Sequence, residues 1–208
     1  MRVRITFSKT DSMRYTSHLD LHRTWERTFR RAKLPLAYTQ GFKPHPKLNL
    51  ASALPLGFTS SGEVLDVWFE DELQLDDIER KLNHALPPGL VIHKLDDVDL
   101  RLPSLQTQLI AAEYLVTLLQ PSPELDARLN TMVAAEILPR ERRGKSYDLR
   151  PLIYELQRVE DSKDGCQRIK MRLAAQEGAT GRPEEVLQCA YIDSLSARVQ
   201  RTHLVFIE

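Results

Sequence analysis

The sequence predicts an α+β fold in which the order strand, helix, strand, strand, helix, strand runs twice, and three observations lead there. Short stretches bounded by glycine and proline alternate apolar with polar residues, as strands with one buried face do. Between them, four segments space their apolar residues three and four apart, as helices lying on a sheet do. A polar stretch around Pro103 divides the series into two halves of the same element order.

At residues 2–7, Val3, Ile5 and Phe7 alternate with Arg2, Arg4 and Thr6, the period of a strand. Ser17 with Asp20 three residues on resembles a capping box. Leu21, Trp25, Phe29 and Ala32 then recur at helical spacing until Pro35 stops the pattern, so a helix is expected over 17–33. Extended segments follow at 48–54 and 63–70, separated by Pro55, Gly57 and Gly62. Leu75, Ile78, Leu82 and Leu86 predict a second helix, ended by Pro87, Pro88 and Gly89, and residues 90–95 a fourth strand. In the second half, strands are expected at 113–119, 149–158, 167–175 and 197–207. Helices are expected at 122–135, with Pro123 near the first turn, and at 183–191. This βαββαβ order is the ferredoxin-like plan, in which two helices cover one face of an antiparallel four-stranded sheet. The expectation is therefore of tandem ferredoxin-like modules at 1–98 and 111–208, joined by a linker at 99–110.

A chain of 208 residues that is 42% hydrophobic, 28% charged and 7% aromatic has the composition of a folded globular protein, which excludes disordered, collagenous and disulfide-scaffold classes. No run of 18 uncharged apolar residues is present, so no membrane span is expected. Arg2 and Arg4 alternating with Val3 and Ile5 do not make a secretory signal, and a cytoplasmic location is expected. Cys166 and Cys189 are too few for a four-ligand metal site; neither metal nor cofactor is expected. The net charge of zero conceals an asymmetry: residues 1–50 carry eleven Lys/Arg against three Asp/Glu, and residues 51–100 three against eleven. Either an electropositive face is presented to nucleic acid, an anionic ligand or an acidic protein, or the two sets pair on the folded surface.

The strings RYTSHLD (14–20), GFKPHP (41–46) and LPLGFTSSGE (54–63), with RRGKSYDLRPLI (142–153), resemble radical-SAM-associated proteins, which stand alone or are appended beside a radical-SAM enzyme. The resemblance implies a radical-SAM enzyme as partner. This chain has no CxxxCxxC, hence no thiolate set for an iron–sulfur cluster, so it would be the companion and not the catalyst.

Three segments hold the candidate binding residues. On the first helix, Arg23, Arg27, Arg30 and Arg31 lie off the apolar face, and guanidinium groups suit phosphate because their fork binds two oxygens and stays charged. In GFKPHPK, Pro44 and Pro46 stiffen a loop holding Phe42, Lys43, His45 and Lys47, which would combine phosphate contact with base stacking. In RERRGKSYDLR, Arg140, Arg142, Arg143, Lys145 and Arg150 surround Gly144, where a basic hairpin would let phosphate approach the backbone. The alternative reading of each is a solvated face or connection. His18 and His22 have an i,i+4 spacing that can ligate metal, but no HExxH accompanies them. The GATGRP turn precedes Glu184 and Glu185, which already occupy the helix dipole, so anion binding is not expected at that helix. The leading functional expectation is a non-catalytic RNA-binding or substrate-presenting companion. The rivals are a metal-independent RNA-processing or RNA-modifying enzyme using Tyr15, His18, His22 or His45, and a protein–protein adaptor.

Overall fold

Val3, Ile5 and Phe7 point to one face of the first strand and are fully buried there, as their alternation requires. The computed structural model describes residues 1–207, which divide into a unit Met1–Gln108 and a second from Leu109 onward. The first unit runs β1 (Arg2–Lys9), α1 (His18–Arg31), β2 (Leu48–Leu50), β3 (Thr59–Trp68), α2 (Leu75–Ala85), β4 (Leu90–Asp97) and a short α3 (Leu105–Gln108). Its strands are antiparallel in the order β4-β1-β3-β2. Ser17 caps α1, its Oγ accepting from the Asp20 N–H at 3.2 Å. The buried face of α1 meets β1 through aromatic rings: Phe7 lies edge-on to Trp25 with centroids 4.9 Å apart, and Trp25 lies 5.6 Å from Phe29. Each such pair adds about 0.5–1.5 kcal/mol beyond its buried area.

The opposite side of β1 departs from the alternation. Arg2 is buried, although its polarity predicted a solvated side chain. The reason stands on β3, where buried Asp66 accepts from Arg2 Nε at 2.9 Å and from Arg4 Nε at 2.9 Å. Part of the charge asymmetry between residues 1–50 and 51–100 is thus cancelled inside the unit. Arg2 also donates to the carbonyls of Leu102 at 2.6 Å and Pro103 at 2.9 Å. Fully buried Leu105 and an amide exchange between Gln106 and Asn49, at 2.6 and 2.8 Å, add to this. Most of the stretch read as linker is therefore built into the first unit.

The second unit contains β5 (Leu109–Leu118), α4 (Leu125–Ala134), β6 (Pro139–Arg142), β7 (Lys145–Asp148), β8 (Ile153–Val159), β9 (Arg168–Gln176), β10 (Ala179–Thr180), α5 (Pro183–Cys189) and β11 (Ala197–Phe206). Four strands pair antiparallel in the order β11-β5-β9-β8, β10 pairs with β9, and β6–β7 forms a separate ribbon. β3 begins at Thr59 and β5 at Leu109, each four residues earlier than expected, and β2 ends at Leu50; two further starts fall later than expected. Glu124, just after Pro123, holds left-handed backbone with φ +56°, so α4 begins at Leu125 and not at 122. Arg150–Leu152 is a 3-10 turn around Pro151, so β8 begins at Ile153. Among the described residues no helix is long and apolar enough to cross a membrane.

Candidate nucleic-acid interface

Helical periodicity places Arg23, Arg27, Arg30 and Arg31 on a single stripe of α1, roughly opposite Leu21, Trp25 and Phe29, over an axial length of about 12 Å. All four are exposed. Arg23 pairs with Asp20 at 3.4 Å, while Arg27, Arg30 and Arg31 have no ion pair or side-chain hydrogen bond among the described residues. Burial of the inner face fixes the helix, so these three cations stand on a rigid support. His22 Nδ1 sits 3.3 Å from Glu26 on the same helix, which orients its ring. No grouping of three metal-ligating side chains occurs among the described residues.

After α1 the chain turns into the proline-containing loop. An antiparallel bridge between Tyr38 and Pro46 closes it, with the Thr39 N–H donating to the His45 carbonyl at 2.9 Å. The His45 N–H donates to Thr39 Oγ1 at 3.2 Å, and its ring Nδ1 lies at the same distance from that hydroxyl. Phe42 occupies the tip with its ring fully in solvent, and Lys43 and His45 are exposed beside it. Lys47 turns back to the loop root, its Nζ 4.7 Å from the centroid of the Trp68 ring. A cavity of about 580 Å³ opens there, lined by Tyr38, Gln40, Lys47, Trp68 and Leu100 among others. Tyr38 and Trp68 escaped the sequence reading because only folding brings the edge of β3 beside the loop.

A second group missed by sequence reasoning adjoins Arg31. Arg80, Lys81 and His84 of α2 join Arg31 around a cleft of about 600 Å³. They lie in the acidic segment 51–100, where net charge conceals them. The 3.6-residue period turns Glu79 elsewhere, while Asp77 pairs with Arg80 at 2.6 Å.

The basic residues of the second unit have different surroundings. Arg142 makes a bidentate ion pair with Glu185 of α5, Nε lying 2.9 Å from Oε1, and its Nη2 donates to Tyr147 Oη at 3.2 Å and to the Thr180 carbonyl at 3.0 Å. Arg140 donates to Cys189 Sγ at 3.1 and 2.8 Å, and Arg150 to the carbonyl of Val133 at 3.2 and 3.0 Å and of Ile153 at 3.0 Å. Burial pushes the Glu185 carboxyl up, but its hydrogen bonds from Arg142 and Tyr147 outweigh that and hold it below the usual carboxylate range. Burial, followed by the contact with Glu185, raises the Tyr147 phenol. Arg143 and Lys145 alone of the five remain exposed and unpaired at the ribbon turn.

A family model described as an uncharacterized protein conserved in bacteria matches residues 2–183. No curated protein is similar in sequence. Among solved structures, a chain of the archaeal box H/ACA sRNP Nop10–Cbf5 complex aligns with a TM-score of 0.47 and 9% identity over 96% of this chain and 46% of its own. This protein thus spans about half the length of that chain. A putative glycine cleavage system transcriptional repressor aligns with a TM-score of 0.25 and 14% identity, over 100% of this chain and 97% of its own.

Proposed function

Starting from the membership of this chain in the DUF2344 family of proteins conserved in bacteria, we propose that it binds single-stranded RNA, or presents an RNA substrate to a partner enzyme, without catalysing a reaction itself. The observation that carries this reading is the stripe of Arg27, Arg30 and Arg31, rigidly held and without a carboxylate partner among the described residues. Unpaired guanidinium groups repel one another and gain most from a polyanion, whose phosphates they neutralise with release of condensed counterions. The exposed Phe42 ring, with Lys43 and His45 beside it, supplies the stacking and phosphate contacts of a single-strand site. Tyr38 and Trp68 extend the aromatic surface. The resemblance of RYTSHLD, GFKPHP and LPLGFTSSGE to radical-SAM-associated proteins favours a radical-SAM enzyme in the cytoplasm as the partner. With the β6–β7 ribbon and β10 set aside, the second unit follows the strand, helix, strand, strand, helix, strand order of the first, which supports reading the two as tandem ferredoxin-like modules, a plan compatible with binding on a sheet or helix face.

The test is fluorescence anisotropy of single-stranded RNA against the full chain over a range of salt. Affinity is expected to fall with a log–log slope of about −0.7 per neutralised phosphate, and Arg27→Ala with Arg30→Ala to flatten that slope by roughly one to two units. Phe42→Ala is expected to weaken binding by about 1–3 kcal/mol with the slope unchanged. Binding no better than to a neutral control protein, or an unaltered slope in the double variant, removes the RNA reading and brings forward the adaptor. RNA cleavage abolished by His45→Ala would replace the non-catalytic reading with an enzymatic one.

A further inference from the structure

We propose that the second unit carries a separate binding site for a small phosphate monoester at the turn of the β6–β7 ribbon, made by Arg143, Lys145 and Arg182 against a wall formed by Arg142 and Tyr147. The ribbon turns through Arg143 and Gly144, both with positive φ, +54° and +74°, the two-residue form whose twist suits a hairpin. A Cβ added at Gly144 would meet nothing within 4 Å, so glycine serves the backbone conformation there and leaves the turn open. The ribbon is fastened to α5 by the Arg142–Glu185 pair and by the Arg140 contacts to Cys189 Sγ and to the Glu185 carbonyl at 3.3 Å. The Arg142 guanidinium also lies 4.9 Å from the centroid of the Tyr147 ring.

These contacts hold one wall of a cavity of about 380 Å³, lined by Arg142, Arg143, Lys145, Tyr147 and Arg182 and by no carboxylate. Glu185 meets the charge of Arg142. Arg143, Lys145 and Arg182 make no side-chain hydrogen bond or ion pair among the described residues, and the one carboxylate whose field Arg182 shares, Glu185, is already paired with Arg142, so the cavity holds an excess of positive charge. Their mutual repulsion disfavours the empty site, and a compact dianion relieves it. A phosphate monoester carries close to two charges and three terminal oxygens, matching two guanidinium forks and one ammonium. Convergence on one small cavity suits a terminal phosphate better than the continuous backbone of a strand, which a linear stripe such as that of α1 follows.

The test uses the full chain with ribose 5-phosphate at constant ionic strength, sodium chloride serving as control, read by calorimetry and thermal unfolding. The unfolding temperature of the parent protein is expected to rise with ligand concentration beyond the chloride control. Arg143→Ala with Lys145→Ala, and Arg182→Ala separately, are each expected to weaken binding about tenfold or more, as loss of charge-assisted hydrogen bonds does, without lowering the unliganded unfolding temperature. Arg27→Ala with Arg30→Ala is expected to leave this affinity unchanged, so the site and the RNA reading of α1 fail independently. Equal affinity in parent and ribbon variants, or a thermal shift matched by chloride, overturns the site. RNA tetranucleotides with and without a 5′-phosphate identify the source of the group. Preference for the phosphorylated strand over ribose 5-phosphate assigns the site to a strand end, and the reverse preference to a small ester.

Discussion

On α1, Arg27, Arg30 and Arg31 project from the protein without carboxylate partners, whereas on the β6–β7 ribbon Arg140 and Arg142 are bonded to α5 through Nε and Nη2. In the sequence both segments read alike, as runs of arginine around a few acids. The difference lies in what each element needs in order to stay folded. α1 buries Leu21, Trp25, Thr28 and Phe29, so its outer face is free to carry charges that contribute nothing to its position. The ribbon consists of two four-residue strands that bury little of their own, and a two-stranded hairpin is marginal in water. Its arginines supply the attachment that apolar burial does not. An arginine already bonded along its Nε and Nη2 edge is a poorer ligand for phosphate than one with no donor committed.

Substitutions that separate the two cases can be ranked by expected effect. Trp25→Ala tests the claim that the inner face anchors α1. Its ring is completely buried between Phe7 and Phe29, and its loss is expected to cost about 3–5 kcal/mol in denaturant unfolding. A cost below about 1 kcal/mol would mean the helix is not held by that face. Arg142→Ala is next: it leaves the largely buried Glu185 without its bidentate partner, and about 1–2 kcal/mol of stability is expected to disappear. An unchanged denaturation midpoint would show that the ribbon is not stapled as described.

Acid titration sharpens the same point. The Glu185 carboxyl is held below its ordinary range in the folded protein, so the folded state binds this proton less readily than the unfolded chain does. The stability it contributes is therefore present above the ordinary carboxylate range and is lost as pH falls through the folded value. The parent protein is expected to lose stability more steeply than Glu185→Gln on passing from neutral to acid pH, and parallel curves would contradict the pairing. The smallest effect is expected at the outer face of α1. Arg27→Ala with Arg30→Ala should leave the unfolding midpoint within about 0.5 kcal/mol, because solvated helix positions contribute little, while the salt dependence of RNA binding changes. A clear loss of stability would move these residues into the same class as Arg142.

Legibility in the sequence followed the range of the forces involved. The strand period of Val3, Ile5 and Phe7, the Ser17 cap of α1 and the proline and glycine stops after α2 involve residues close in the chain, and each appears in the structure within a few residues of where it was expected. The displaced starts of α4 and β8 are equally local, set by the left-handed backbone of Glu124 and by the 3-10 turn around Pro151. The candidate cations could be named from composition, but their availability could not. Whether Arg142 is bound depends on the position of Glu185, 43 residues away in the chain. The same holds for Arg2, whose burial requires Asp66 at a separation of 64 residues, and for Tyr38 with Trp68 and Arg31 with His84.

The sequence by itself determined the elements and the supply of charge, because hydrophobic period, capping and turn chemistry act over a few residues and composition is simply counted. Only the tertiary structure decided which charges are spent and which are spare. A guanidinium is neutralised by whichever carboxylate or carbonyl the fold brings within about 3 Å, and that proximity is set by strand register and helix packing, not by neighbours in the chain.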